Sequence, residues 1–406
     1  DSTINKIAAG EVIERPASVV KEVMENSIDA GATAITVEIR NGGISYIRVT
    51  DNGKGIMQDD LEIAFERHAT SKLRSAEDLD DIKSMGFRGE ALASIASIAK
   101  VTLDSKTADS YTGYEVVVEG GKILSKEEAG CANGTSITIE NLFYNTPARL
   151  KYLNSIYSEL ANVCEYVNKM ALSYPDKKFI LISNDKIILN TDGSGDLLKV
   201  IRDIYGLEVV RKMRKISVFN DDYDIDGYIS LPEVTRSSRN HMITLVNKRV
   251  VRNIELNRAI NDAYHTFKPE TRYPIVVLNI NTDPSLIDVN VHPSKLDIKF
   301  SNFEDLKELI KTGIKGVLDK ELLIPKIEKS DNPVYEKKRV VEQQLNLERE
   351  NVIDSNVIDY SLFDEPVLSV NEDIVSYNEE EKEDKIEEEK KVVMPEMYPV
   401  GLAKGT

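Results

Sequence analysis

Three short stretches hold residue types at spacings that could handle a phosphate ester. In VVKEVMENSIDAGA (residues 19–32), Glu22, Asn26 and Asp29 stand at i, i+4 and i+7. On a helix these positions share one face. The apolar stripe faces elsewhere, so the polar face meets water or a ligand; alone, the window reads as an amphipathic helix with a solvated side. In VTDNGKGI (residues 49–56), Asp51 shares strand parity with Ile47 and Val49. If those two face the core, so does Asp51, and a carboxylate there needs donors. The amino group of an adenine would be one. Gly53 and Gly55 would let a flat base approach the backbone. Asp-Asn-Gly alone makes a turn, which leaves the second glycine and the parity of Asp51 unexplained. In GFRGEALASI (residues 86–95), glycines precede a helix, whose N-terminal N–H groups suit an anion, and Arg88 adds charge. This is neither a Rossmann fingerprint nor a Walker A loop.

Positioning these groups takes regular elements. Residues 16–28 read as a helix, with Val19, Val20, Val23, Met24 and Ile28 at helical spacing, Pro16 in the first turn and Gly31 past the end. AITVEIR and ISYIRVTD, joined by Asn41-Gly42-Gly43, read as a hairpin. Residues 59–72 are partly helical, and residues 86–99 run from a glycine loop into an apolar helix. Strands are expected near 100–103, 114–118 and 135–139, and Thr146-Pro147 as N-cap and first-turn proline of another helix. Around Leu207 the pattern restarts: HMITLVNKRVV, YPIVVLNI and LIDVNV are strand-like, IELNRAINDAYHTF is helical, and FEDLKELIKTGIKGVL is a closing amphipathic helix. Helix and strand share each unit, so α+β or α/β suits both halves, and α+β is the class expected.

At 406 residues and 41% hydrophobic, the chain supports two or three domains. No apolar run is long enough to span a membrane, and Cys131 and Cys164 show neither a disulfide framework nor metal-ligand spacing. A cytoplasmic location is the default expectation. The net charge of −17 argues against nucleic acid until its distribution is read: residues 323–406 carry −10 and the first 322 only −7. The stretch NEEEKEDKIEEEKK cannot bury enough surface to fold. Residues 323–393 are expected to be an acidic disordered linker, and 394–406 the start of a further, truncated domain.

Glu and Asn on a helix, Asp-x-Gly-x-Gly after a strand, and a glycine loop before a helix, in that order, resemble the Bergerat-fold (GHKL) ATPases. The strings TINKIAAGEVIERPASVVKEVMENSIDAGA, RHATSKL, GFRGEALASIASI, LFYNTPARLKYL and DVNVHPSKLDIKF are similar to the MutL family of DNA mismatch repair proteins, over about Ser2 to Leu322. The resemblance implies a Bergerat-type α/β sandwich ATPase domain (1–205) followed by a ribosomal-protein-S-five-like domain (206–322). It implies ATP and Mg²⁺ as cofactors. Glu22 would be the general base, and Asn26 the Mg²⁺ ligand. Asp51 would bind the adenine amino group, with Gly55 beside the base and Thr135 near adenine through water. Thr70, Ser71 and Lys72 would belong to the lid. Gly86, Phe87, Arg88, Gly89, Glu90, Ala91 and Leu92 would wrap the phosphates, and Lys295 would reach the γ-phosphate. It further implies MutS as partner and a homodimer, ATP-dependent through this part and constitutive through a domain beyond Thr406.

In the second half, TRSSRNHMITLVNKRVVRN carries Arg236, Arg239, Lys248, Arg249 and Arg252 with no acid among them. This is a candidate phosphate-binding surface for DNA; the alternative is a solvated basic strand-loop-strand. His292, Tyr144 and Arg149 are expected to be structural, and both cysteines unreactive. Two functions of different kind remain open: an ATP-hydrolysing switch, which Glu22 favours, and a DNA-binding matchmaker that binds ATP without hydrolysing it. A histidine kinase is disfavoured by the absence of a membrane segment and a phospho-acceptor helix.

Overall fold

The computed structural model describes residues 13–66, 91–288 and 299–323. The expected acidic linker beyond Leu323 and the segment 394–406 lie outside them. No helix among the described residues is long and apolar enough to cross a membrane.

The first part is one sheet with helices on one face. Its elements are α1 (Pro16–Asp29), β1 (Ala34–Arg40), β2 (Tyr46–Asp51), α2 (Asp60–Ile63), α3 (Ala91–Ile98), β3 (Lys100–Lys106), β4 (Gly113–Glu119), β5 (Lys122–Ala129), β6 (Gly134–Glu140), α4 (Pro147–Tyr152), α5 (Ile156–Ser173), β7 (Lys178–Ser183) and β8 (Lys186–Asn190). The eight strands run in the order β5-β4-β3-β6-β2-β1-β7-β8. All neighbours are antiparallel except β1 and β7. Alternation decides the faces. Ile35, Val37, Ile39, Ile47, Val49, Val101, Leu103, Ile137 and Ile139 are buried in one core with Val19, Val20, Val23 and Met24 of α1, Ile95 and Ile98 of α3, and Val163 and Val167 of α5. The opposite face is polar, where Arg48 donates to Ser136 Oγ (3.1 Å) and Thr50 and Ser136 share a hydrogen bond (3.0 Å).

Most expected elements appear: the first helix, ending before Gly31 at φ +76°, and the β1–β2 hairpin, whose turn puts Asn41, Gly42 and Gly43 at positive φ. Thr146 does precede α4, but its hydroxyl donates to the Phe143 carbonyl and caps nothing. Tyr144 is 45% exposed. The sequence reading has no counterpart for β5, α5, β7 or β8. β5, KILSKEEA, is a charged and mostly exposed edge strand, recognisable only by its pairing to β4.

The second part contains α6 (Leu197–Tyr205), α7 (Leu207–Arg211), β9 (Met213–Phe219), β10 (Tyr223–Ser230), β11 (Thr235–Arg236), β12 (Met242–Val246), β13 (Arg249–Val251), α8 (Ile254–Ala263), β14 (Tyr273–Pro274), β15 (Val276–Thr282), β16 (Ile287–Asp288), β17 (Lys299–Phe300) and α9 (Phe303–Leu323). Its sheet has the order β13-β12-β15-β10-β9, with β12 and β15 parallel. The closing helix α9 buries Leu306, Ile310, Ile314 and Leu318, with Phe303 and Leu309 half-buried. β12 is buried on both faces: Met242 and Val246 join the α8–α9 core, while Ile243 and Leu245 join the core of the first part. The two parts are therefore joined through continuous apolar packing.

Candidate functional site

Three neighbouring strands end in polar residues where the rest of their inner face is apolar. In β2, β6 and β3, Asp51 is paired with Thr135, and Thr135 with Ser105. Each shares parity with buried Val or Ile or Leu one step back, so all three face the helix layer. Ser105 is 1% exposed, and its hydroxyl lies 3.0 Å from the Gly134 carbonyl and 3.1 Å from Thr135 Oγ1. It also accepts from the Ile56 N–H at 2.8 Å. One serine thus ties the loop after Asp51 to β3 and β6.

Asp51 finds the donors its position requires. The Ser27 hydroxyl donates to Oδ2 at 2.7 Å, and the Gly53 N–H donates to Oδ1 at 2.8 Å. A carboxylate offers about four lone-pair positions, so two remain for a ligand donor. The loop is tight for a reason the sequence reading did not hold. A Cβ on Gly55 (φ +75°) would lie 2.3 Å from the Lys106 carbonyl oxygen, and one on Gly134 (φ +115°) 2.0 Å from that of Asp51. Close approach to the protein's own backbone already demands both glycines.

α1 lies over this row. Ser27 meets Asp51, and Asn26 and Glu22 lie toward the helix start, Glu22 about 7.5 Å back along the axis from Ser27. Glu22, Asn26 and Asp29 are half-buried, as their shared face predicts. Unforeseen was the network beside Glu22. Lys21 Nζ lies 3.1 Å from Glu22 Oε1 and 3.7 Å from Glu25 Oε1. Glu25 is 8% exposed and accepts from the Tyr166 hydroxyl of α5 at 3.2 Å. Burial opposes the Lys21 charge, but Glu25 and Glu22 outweigh it and raise its pKa. Burial, then Glu25, pushes Tyr166 well above the usual tyrosine value, so it remains a donor. No local signal reports these contacts: Ser27 and Asp51 are 24 residues apart, Glu25 and Tyr166 141.

Ala91 and Leu92 open α3, half-buried. Thr70, Ser71, Lys72, Gly86, Phe87, Arg88, Gly89, Glu90, His292 and Lys295 lie outside the described residues. Burial pushes the Cys164 thiol up to about 12 and raises Cys131, so both stay protonated and weakly nucleophilic at neutral pH.

The expected basic patch is not one patch. Arg236 and Arg239 precede β12; Lys248, Arg249 and Arg252 form a second group on the hairpin that follows it, with Arg249 at the far end of β12, roughly 13 Å along the strand, and Arg252 carried back by β13 past the Thr244–Val251 pair. The second group lies against α5. Arg252 Nη2 pairs with Glu165 Oε1 at 3.0 Å, and Lys248 Nζ sits 5.8 Å from the Tyr174 ring centre. Burial opposes ionisation of Glu165, yet Lys169 and Arg252 hold it below its usual value. The acid-free reading of Arg252 is corrected: its carboxylate comes from a distant helix.

Residues 201–319 match the family described as DNA mismatch repair protein, C-terminal domain, and residues 13–142 that described as histidine kinase-, DNA gyrase B-, and HSP90-like ATPase. Among solved structures, the N-terminal domain of a DNA repair protein covers 79% of this chain and 99% of its own, at 27% identity and a TM-score of 0.69. The Aquifex aeolicus MutL ATPase domain complexed with ADP covers 74% of this chain and 98% of its own, at 27% identity and 0.53. The DNA mismatch repair protein MutL of Staphylococcus carnosus (strain TM300) is 48% identical over 87% of this chain, which spans 55% of that relative. That of Geobacillus sp. (strain WCH70) is 42% identical over 100% of this chain, which spans 70% of it. The agreement of both family matches and a relative aligned along the whole chain with the mixed α/β fold leads to one assignment: the chain belongs to the MutL family of DNA mismatch repair proteins.

Proposed function

We propose that this chain is an ATP-hydrolysing switch in DNA mismatch repair, divided into an ATPase domain (1–205), a transducer domain (206–322), an acidic linker (323–393) and the start of a further domain (394–406). The observation that carries this reading is the Asp51–Thr135–Ser105 row, held by Ser27 on the same helix as Glu22 and Asn26. Asp51 keeps acceptor capacity for an adenine amino group, and α1 fixes that end of the site relative to Glu22. Orientation by one rigid element is worth much of a general base's effect. Among the described residues no group of three His, Cys, Asp or Glu could hold a metal ion. That suits Mg²⁺ held mainly by nucleotide phosphates and water with a single side-chain oxygen from Asn26. When bound, the ion would neutralise charge on the transferring phosphoryl group. Thr70, Ser71 and Lys72 serve as lid, Gly86 to Leu92 contact the phosphates, and Lys295 reaches the γ-phosphate. Lid closure, homodimer formation and release on hydrolysis convey mismatch detection by MutS, in a cytoplasmic setting.

The test is metal-dependent affinity. Asn26→Ala is expected to weaken Mg-ATP binding by about tenfold or more, the cost of one lost charge-assisted contact. ATP binding in EDTA should be unchanged, measured by titration with a fluorescent ATP analogue. Equal Mg-ATP affinity in variant and wild type removes Asn26 from the metal. DNA binding is expected through phosphates, so raising salt from 50 to 200 mM should weaken it by orders of magnitude; a salt-independent affinity measured by fluorescence anisotropy contradicts it.

A further inference from the structure

The end of β12 that holds Arg236 and Arg239 gathers more positive charge than the sequence stretch suggested. β11 pairs with β14, setting Arg236 opposite Tyr273. Arg272 Nη2 donates to the Thr235 carbonyl at 3.0 Å and its Nε to Thr235 Oγ1 at 3.3 Å. Arg236 Nη1 donates to that same carbonyl at 3.3 Å. Two guanidinium groups therefore converge on one oxygen. The Arg239 guanidinium lies 5.2 Å from the Tyr273 ring centre, and Lys268 Nζ lies 5.7 Å from it. Two cations thus lie by one tyrosine ring, and two more meet on the strand paired with it.

Among the described residues none of these four makes an ion pair with a carboxylate. Of the nearby acids, Glu270 is exposed, lies 3.5 Å from His265 Nε2 and acts on Lys268 only through space, and Glu233 pairs with Lys212 at 2.7 Å. Lys268 is only 8% exposed, and among the described residues its ammonium has only the Pro269 carbonyl, at 3.3 Å, as hydrogen-bond partner. Burial lowers its pKa, with Tyr273 and Glu270 opposing. The contrast with Arg252 is direct, since that guanidinium already has Glu165. Convergent, unpaired cations repel one another, and on a chain of net charge −17 their cost is offset when an anion sits among them. Paired guanidinium groups match the geometry of phosphate oxygens.

We propose that Arg236, Arg239, Lys268 and Arg272 around Tyr273 form a cradle for phosphodiester groups of DNA, and that this cradle, rather than the Lys248–Arg252 turn, is the main backbone contact of the second part. The proposal rests on the DNA-binding reading above and locates it. The experiment uses the whole chain, a fluorescein-labelled duplex oligonucleotide, and a salt series. Removing two phosphate contacts lowers the slope of log affinity against log salt by about 0.9 for each. Arg239→Ala/Arg272→Ala is therefore expected to reduce the slope by about 1.8 and to weaken binding at least tenfold. Arg272→Lys alone should keep the slope, and Arg252→Ala should leave it unchanged. Arg239→Ala alone, which removes only an exposed side chain over a ring, should lower the slope by about 0.9 and guards against a folding artefact in the double variant. An unchanged slope in both Arg239 variants, or an equal loss in Arg252→Ala, overturns the cradle. Inorganic phosphate at matched ionic strength should compete no better than chloride; if it displaces DNA at millimolar concentration, the site is one for free phosphate and the proposal fails. If the wild-type chain binds no duplex at all, the DNA-binding reading itself is wrong, and the cradle falls with it.

Discussion

Glu22→Gln is expected to stop ATP turnover while leaving nucleotide affinity within about twofold of wild type. General bases contribute roughly 10²–10⁴ in rate, about 3–5 kcal/mol of barrier, so phosphate release should fall to near background. Glutamine keeps the length and helix propensity of glutamate, and Glu22 is half-buried on the outer face of α1 rather than in the core. Its loss should therefore not unfold the helix. The Lys21 ammonium, 3.1 Å away, retains Glu25 as a partner at 3.7 Å, so no unpaired charge is left behind. Steady-state phosphate release together with titration of a fluorescent ATP analogue reads both quantities. Wild-type turnover by the glutamine variant would refute the base assignment.

Asp51→Asn is expected to act on the other quantity, binding, and to carry turnover down with it. The exchange suits the fold. The Asn oxygen can still accept from the Gly53 N–H, and Ser27 can accept from the new amide while its own proton turns to the Val23 carbonyl, already 3.2 Å away. What disappears is the remaining carboxylate acceptor that would face a ligand donor. Hydrogen bonds to charged groups are worth about 1.5–3 kcal/mol, so ATP affinity should fall about ten- to a hundredfold. The thermal midpoint should stay close to wild type. If ATP affinity were retained, Asp51 would not be the adenine contact. Affinity lost together with a collapsed melting transition would mean that its hydrogen bonds to Ser27 and Gly53 are structural only.

Parity made Asp51 legible in advance. Val49 and Ile47 had to face a core, and alternation carried Asp51 to the same side. The polar face of α1 was legible in the same way, from spacing alone. Ser27 and Ser105 were not. Each is a small polar residue in an apolar pattern, and nothing nearby in sequence says whether its partner is water, its own helix or a strand. Gly55 and Gly134 were legible as glycines but not in their cause, which is contact with other strands. The basic stretch misled most: five cations close in sequence were read as one surface free of acids, whereas Lys248 and Arg252 lie against α5, where Arg252 has Glu165 as its partner.

The sequence by itself determined which residues are candidates for the chemistry, because residue type, helical spacing and strand parity are local properties that a short window contains. It also determined the family, through long specific strings. The tertiary structure alone decided which of those residues are held and by what. Ser27 fixes Asp51, Tyr166 fixes Glu25, Glu165 takes Arg252, and Lys268 and Arg272 join Arg239 around Tyr273. Each of these contacts except that of Lys268 with Tyr273 crosses more than 20 residues, Arg272 meeting Thr235 across 37. Charge pairing and hydrogen bonding depend on distance in space, which sequence separation does not report.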